Sequence, residues 1–124
     1  MAFLGKEKLL VQAELEIKQV MFKNGDWVYV REMTGKERNN FENSIMRQEK
    51  DANGVFQMVQ KLDNFRSKLA VCTLCDEEGN LLFTMLDVER LSEAISATML
   101  EEIVKVAQSM NAIVPEVKED IVKN

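Results

Sequence analysis

The stretch MFKNGDWVYVREMTGKERNNF, residues 21–41, joins two kinds of structure. Asn24-Gly25 stands between apolar runs, and this dipeptide readily supplies the two positive φ angles of a type I′ turn, whose twist matches that of paired strands. The pattern predicts an antiparallel hairpin, with strands at 10–22 and 27–32 about a turn at 23–26. In the second strand Trp27, Tyr29 and Arg31 fall on one face and Val28 and Val30 on the other. Thr34-Gly-Lys-Glu37 then has capping-box spacing: a hydroxyl that accepts from the N3 amide and a Glu that reaches back. A strand pair that runs straight into a capped helix implies the α+β class.

N-terminal to this stretch, residues 11–18 place apolar side chains on odd positions and polar ones on even positions, the period of a half-buried strand. The same residues suit a helix by propensity. C-terminal to it, the capped helix is expected to run to about Glu49 on sparse apolar positions, Phe41, Ile45 and Met46. Asp51-Ala-Asn-Gly54 breaks it with a turn. Val55, Met58, Val59, Leu62, Phe65 and Leu69 recur at spacings of three and four, which predicts a helix over 55–70. The apolar run 69–75 continues that helix or forms a buried strand. Asp76-Glu-Glu-Gly-Asn80 is a turn, and 81–84 reads as a short returning strand, so a second short hairpin is expected. Asp87 is a good N-cap for a helix at 88–95. Ser96 or Thr98 caps a helix over 98–110, and Asn111 suits its left-handed C-cap. Pro115 opens a closing segment that is frayed or one short helix. The expected organisation is an N-terminal antiparallel hairpin followed by a mostly helical body in a single domain, 1–113, with a C-terminal tail, 114–124.

The chain has 124 residues, 46% of them hydrophobic and 30% charged, enough for one modest core without disulfides or metal. Its net charge is −5 and unevenly placed: residues 1–62 carry 10 Lys/Arg against 9 Asp/Glu, and residues 63–124 carry 6 against 12. No two Lys/Arg are adjacent, so the clustered cations that displace counterions from phosphates are missing, and nucleic acid is not an expected partner. The acidic second half suits solubility, or a basic partner. No apolar stretch approaches the roughly 20 residues needed to span a bilayer. Lys6, Glu7 and Lys8 interrupt the N-terminal apolar residues, unlike the continuous centre of a signal peptide. These features point to the cytoplasm and away from the membrane.

The chain has no histidine, which removes the commonest general base and the serine–histidine and cysteine–histidine pairs. No phosphate-cradling glycine motif occurs. Asp51–Gly54 and Asp76–Gly79 resemble fragments of calcium loops but lack the full ligand series. Cys72 and Cys75 form a C-x-x-C. A zinc site needs more ligands than this, and the neighbouring Asp76, Glu77 and Glu78 oppose the low pKa of a redox thiol. The preferred reading is a pair of core thiols, with redox or metal chemistry as the alternative. No catalytic residue, metal ligand or cofactor follows from the sequence, and none is expected. The remaining candidate is a surface: Met99, Leu100, Ile103, Val104, Ala107 and Met110 make one broad apolar stripe on helix 98–110. Core burial is its first explanation and a partner groove its second. An exposed edge of the first hairpin would also allow homo-oligomers.

The order of these motifs resembles the tail assembly chaperones of long-tailed phages and phage-derived elements. The residues that carry the likeness are Val28-Tyr-Val-Arg-Glu-Met-Thr-Gly-Lys-Glu-Arg38 with Phe41-Glu42, then Arg66 to Phe83 with its apolar run and acidic glycine turn. Asp87-Val-Glu-Arg-Leu91, Leu100 to Ala107 and Asn111 follow in order. The resemblance covers roughly residues 27–124, with an uncertain alignment at 48–64, and it implies an α+β fold and a role in the host cytoplasm. It implies binding to the tape measure protein, assistance to tail tube subunits, and absence from the mature virion. The alternative is a head–tail or tail subunit retained in the particle. Such families often add a second domain by ribosomal frameshifting. Lys123-Asn124 is compatible with an A-rich slippery codon pair, a hypothesis that a gene lacking a slippery heptamer and an overlapping frame would remove.

Overall fold

In the computed structural model, residues 2–11 and 14–113 are described. After a short helix α1 (Lys6–Leu9), β1 (Ile17–Met21) and β2 (Trp27–Arg31) form the expected antiparallel hairpin, with Val20 opposite Val28 and Ile17 opposite Arg31. Strand β1 is shorter than the predicted 10–22. The cause lies in its partner: Glu32 closes the ladder on Glu16, and Thr34 already caps a helix, so β2 does not continue past Arg31 to extend the ladder.

The turn also differs from the type I′ expectation. Phe22 and Asp26 close a three-residue loop in which only Gly25 takes a positive φ, 94°. This is the longer hairpin loop with a glycine in the left-handed position. The same construction recurs at Asp51–Val55, with Gly54 at φ 80°, and at Asp76–Asn80, with Gly79 at φ 93°. In both repeats the aspartate side chain accepts from two amides of its own loop at 2.9 Å. Asp51 and Asp76 are thus turn residues by their own bonding.

Helix α2 (Gly35–Ser44) starts on the predicted capping box, with the Thr34 hydroxyl and the Glu37 carboxylate bonding reciprocally. It stops at Ser44 and does not reach Glu49. Residues 46–50 form β3 (Met46–Lys50), which pairs antiparallel with β4 (Phe56–Gln60). The helix predicted over 55–70 is therefore a strand, a turn and a helix, α3 (Phe65–Thr73). The three–four spacing of Val55, Met58, Val59 and Leu62 misleads because Asn53-Gly54 fixes a hairpin loop before it. Asn64, at φ 57°, starts the helical register anew.

The run 69–75 divides between the two alternatives: helix to Thr73, then a two-residue strand β5 (Leu74–Cys75) on the far side of β2. The sheet order is β1-β2-β5. The returning strand at 81–84 reduces to one bridge, Leu81 to Cys75. A 3₁₀ turn (Met85–Asp87) precedes α4 (Val88–Ala94). Asp87 bonds back to the Thr84 amide and makes no cap of its own on α4. Ser96 caps α5 (Ala97–Met110). Asn111 is not left-handed; Ala112 is, at φ 53°, and the Ile113 amide closes on Gln108 as a Schellman ending requires. The expected tail, 114–124, lies outside the described residues.

The Val20, Val28 and Val30 face of the sheet meets α2, α3 and α5 in one core. Val30, Phe41, Leu69 and Ile103 are its most deeply buried large side chains. Phe41 and Phe65 meet edge to face with ring centres 5.6 Å apart, a favoured aromatic geometry.

Candidate functional site

The stripe on α5 faces inward. Ile103, Val104 and Ala107 are buried in the core, while Met99, Leu100 and Met110 lie half-buried at its margin. Their company explains this: α5 packs against α3 and β2, which supply Leu69, Ala70 and Val30.

The end of α5 is held by a polar knot that links it to the start of α2. The Asn111 side chain accepts from the Met33 amide at 2.8 Å and donates to the Ala107 carbonyl at 2.9 Å. Its own carbonyl accepts from Arg38 Nη1 at 2.7 Å. One turn away Arg31, only 5% exposed, donates to Glu37 Oε2 at 2.8 Å and to the Glu32 carbonyl at 2.9 Å. Burial alone would raise Glu37. The Arg31 hydrogen bond, the Thr34 amide and the charge of Arg31 outweigh it and hold the carboxyl below its ordinary 4.5. Thus the Arg31–Glu37 pair and the Thr34–Glu37 capping box orient secondary structure, and the same three side chains line a surface cavity of about 330 Å³ together with Leu15, Gly79 and Asn80.

The two cysteines are free thiols, Cys75 buried and Cys72 half-buried. Burial, with the nearby charge of Glu37, pushes Cys72 up to about 11. Burial also raises Cys75; Arg31 opposes this and Asp76 reinforces it. Thiols held protonated at neutral pH are poor nucleophiles and poor metal ligands.

The surface that sequence patterning missed is the β3–β4 hairpin. It stands away from the core, joined through the end of α2. Met58 is 61% exposed, and Val55 and Phe56 are each 58% exposed. Phe56 and Met58 share one face by register, and the Lys50 ammonium lies 5.3 Å from the Phe56 ring centre. A cleft of about 480 Å³ runs beneath the hairpin, lined by Phe41, Ile45, Met46, Gln60, Phe65 and Ile113 among others. A second apolar concentration lies at the N-terminus, where Phe3, Leu4, Leu9, Leu10 and Val11 are exposed. The legible signal for the hairpin was Asn53-Gly54 followed by the β-prone Val55-Phe56; the first strand, Met46-Arg-Gln-Glu-Lys50, is made of helix formers and carried no such signal.

Among the described residues no helix is long and apolar enough to cross a membrane. Comparison with curated proteins finds no match. Among solved structures, the chain is similar to the bacteriophage HK97 tail assembly chaperone. The TM-score is 0.54 at 17% identity, over 77% of this chain and 85% of that one. That likeness shows a shared fold. The family model described as "Phage tail assembly chaperone, TAC" matches residues 2–107. With that match spanning the hairpin, the core helices and most of α5, the chain belongs to the phage tail assembly chaperone family.

Proposed function

We propose that this chain binds the tape measure protein in the host cytoplasm, keeps it soluble, and assists the placing of tail tube subunits without entering the mature virion. Family membership over residues 2–107 is the observation that carries the reading. The structure adds physical support: a folded core of its own, and apolar side chains held outside that core on the β3–β4 hairpin. Contiguous exposed apolar surface marks interaction sites. The partly covered Met99, Leu100 and Met110 have surface left to extend such a contact; Ile103, Val104 and Ala107 do not. The reading requires no catalytic residue and no cofactor.

Co-expression tests it. The tape measure protein of the phage or element that encodes this chain is expected to be recovered soluble and in complex with it, and the chain to be absent or trace by mass spectrometry of purified virions. An insoluble tape measure protein with no complex would remove the tape measure assignment. Stoichiometric presence in virions would favour a retained tail subunit.

A further inference from the structure

We propose that the outer edge of β4 is the client-docking element, taking up an extended, uncharged, apolar client segment as a third strand. The proposal rests on the chaperone reading and names the surface and the chemistry of what it holds.

The hydrogen-bond phase of the hairpin defines the edge. The Asp51 amide donates to Val55 and the Lys61 amide to Ile45, so the odd-numbered residues 45–51 pair inward with 55–61. In an antiparallel pair the alternate residues then direct their main-chain groups outward. On β4 these are Phe56, Met58 and Gln60; on β3 they are Met46, Gln48 and Lys50. Among the described residues no strand pairs with either edge.

The two edges differ in chemistry. Natural edges are blunted by charge, proline or inward-pointing charged side chains. β3 carries Arg47, Glu49 and Lys50. The outer edge of β1 carries the exposed charge of Lys18, opposite Val30. β4 has none of these devices: Val55-Phe-Gln-Met-Val-Gln60 is uncharged, free of proline and β-prone, with Phe56 and Met58 on one face and Val55 and Val59 on the other. An added strand gains main-chain bonds from the edge and side-chain contacts on both faces.

Charge and area select the occupant. Lys50 sits over Phe56 and disfavours a cationic segment on that face, while residues 55–60 themselves present uncharged and largely apolar side chains, which match an apolar segment. A second copy pairing β4 with β4 is disfavoured by size. A stable interface buries about 800 Å² per partner, and one five-residue edge provides only a fraction of that. Small contact area suits a client that is released when the tail assembles.

The test uses the full chain and overlapping 15-residue peptides that tile the tape measure protein of the phage or element that encodes it. Met58→Pro removes an outward amide that the hairpin does not use, and Met58→Lys charges the same edge while keeping the strand. Gln48→Pro, directly opposite, makes the matching change on the β3 edge. Uncharged apolar peptides are expected to bind the wild-type chain and Gln48→Pro alike. They should lose at least tenfold in affinity to both Met58 variants and slow amide exchange at Phe56, Met58 and Gln60. Equal binding by all variants, or slowed exchange at Met46, Gln48 and Lys50 instead, overturns the proposal. So does a Met58-dependent change in the sedimentation of the chain alone, which would make a second copy the occupant. If the tape measure protein is kept soluble while no peptide slows exchange along β4, only the strand proposal fails. If the wild-type chain neither solubilises nor binds it, the chaperone reading fails with it.

Discussion

Glu37→Gln removes a charge and leaves the shape of the side chain. Three local structures meet at this carboxylate. Its Oε1 accepts from the Thr34 amide at 2.9 Å, closing the capping box of α2, and its Oε2 accepts from Arg31 at 2.8 Å. The guanidinium it faces is 6% exposed, and Arg31 Nε is already buried without a partner. Breaking a buried pair from one side costs about 3–5 kcal/mol, because the other charge is left uncompensated. The Glu37 side chain is 29% exposed, so water screens part of this. Glutamine can still accept from the Thr34 amide, which preserves most of the cap. The expected loss is therefore about 2–3 kcal/mol, a large share of the roughly 5–15 kcal/mol that stabilises a domain.

Urea unfolding followed by circular dichroism measures this, and pH supplies the signature. Glu37 is held below its ordinary 4.5 in the fold, so its contribution is fully present above that value and is lost as pH falls through the folded pKa. The wild-type and Glu37→Gln curves should be separated at pH 7 and converge in acid. Arg31→Met in the Glu37→Gln background should recover at least half of the loss, since an apolar side chain of similar length leaves no stranded charge. A difference below about 0.5 kcal/mol at pH 7, or a gap that persists unchanged at pH 3, would show that the pair does not hold α2 to the sheet as its geometry indicates.

Two further outcomes follow from backbone and thiol chemistry. Ala112→Gly should stabilise the chain by about 0.5 kcal/mol, because a left-handed alanine costs about 1–2 kcal/mol and glycine's extra freedom in the unfolded chain returns part of the gain; a lower urea midpoint would contradict the left-handed ending of α5. Cys72, raised to about 11, favours the neutral thiol in the fold. Its contribution is full below pH 9 and lost as pH rises through 11, so Cys72→Ala should flatten the alkaline decline in stability, and parallel curves for the two proteins would reject the assignment.

The first hairpin and the helix that follows it were legible because each signal there is local and self-sufficient. Asn24-Gly25 can turn only a few residues of chain, and Thr34 with Glu37 satisfies amides within one helical turn. The β3–β4 hairpin carried an equally local signal in Asn53-Gly54, but a competing one lay beside it. Val55, Met58, Val59 and Leu62 are spaced for a helix face, and periodicity indicates where apolar groups repeat without indicating what they meet. In α5 the same kind of stripe meets Leu69, Ala70 and Val30 and becomes core. In β4 it meets little beyond its partner strand, so the turn decides the conformation and the apolar groups stay outside. The same gap explains the candidate surface. A stripe that looks sticky in the sequence is the one most readily buried by the chain's own helices. The apolar residues left for a partner are those on an element too thin to have an inside. A two-stranded ribbon is marginal on its own, so occupation of its open edge and apolar face by a client should order it further. Binding and local stability would then rise together in β3–β4 while the core, already closed around Phe41 and Ile103, stays unchanged.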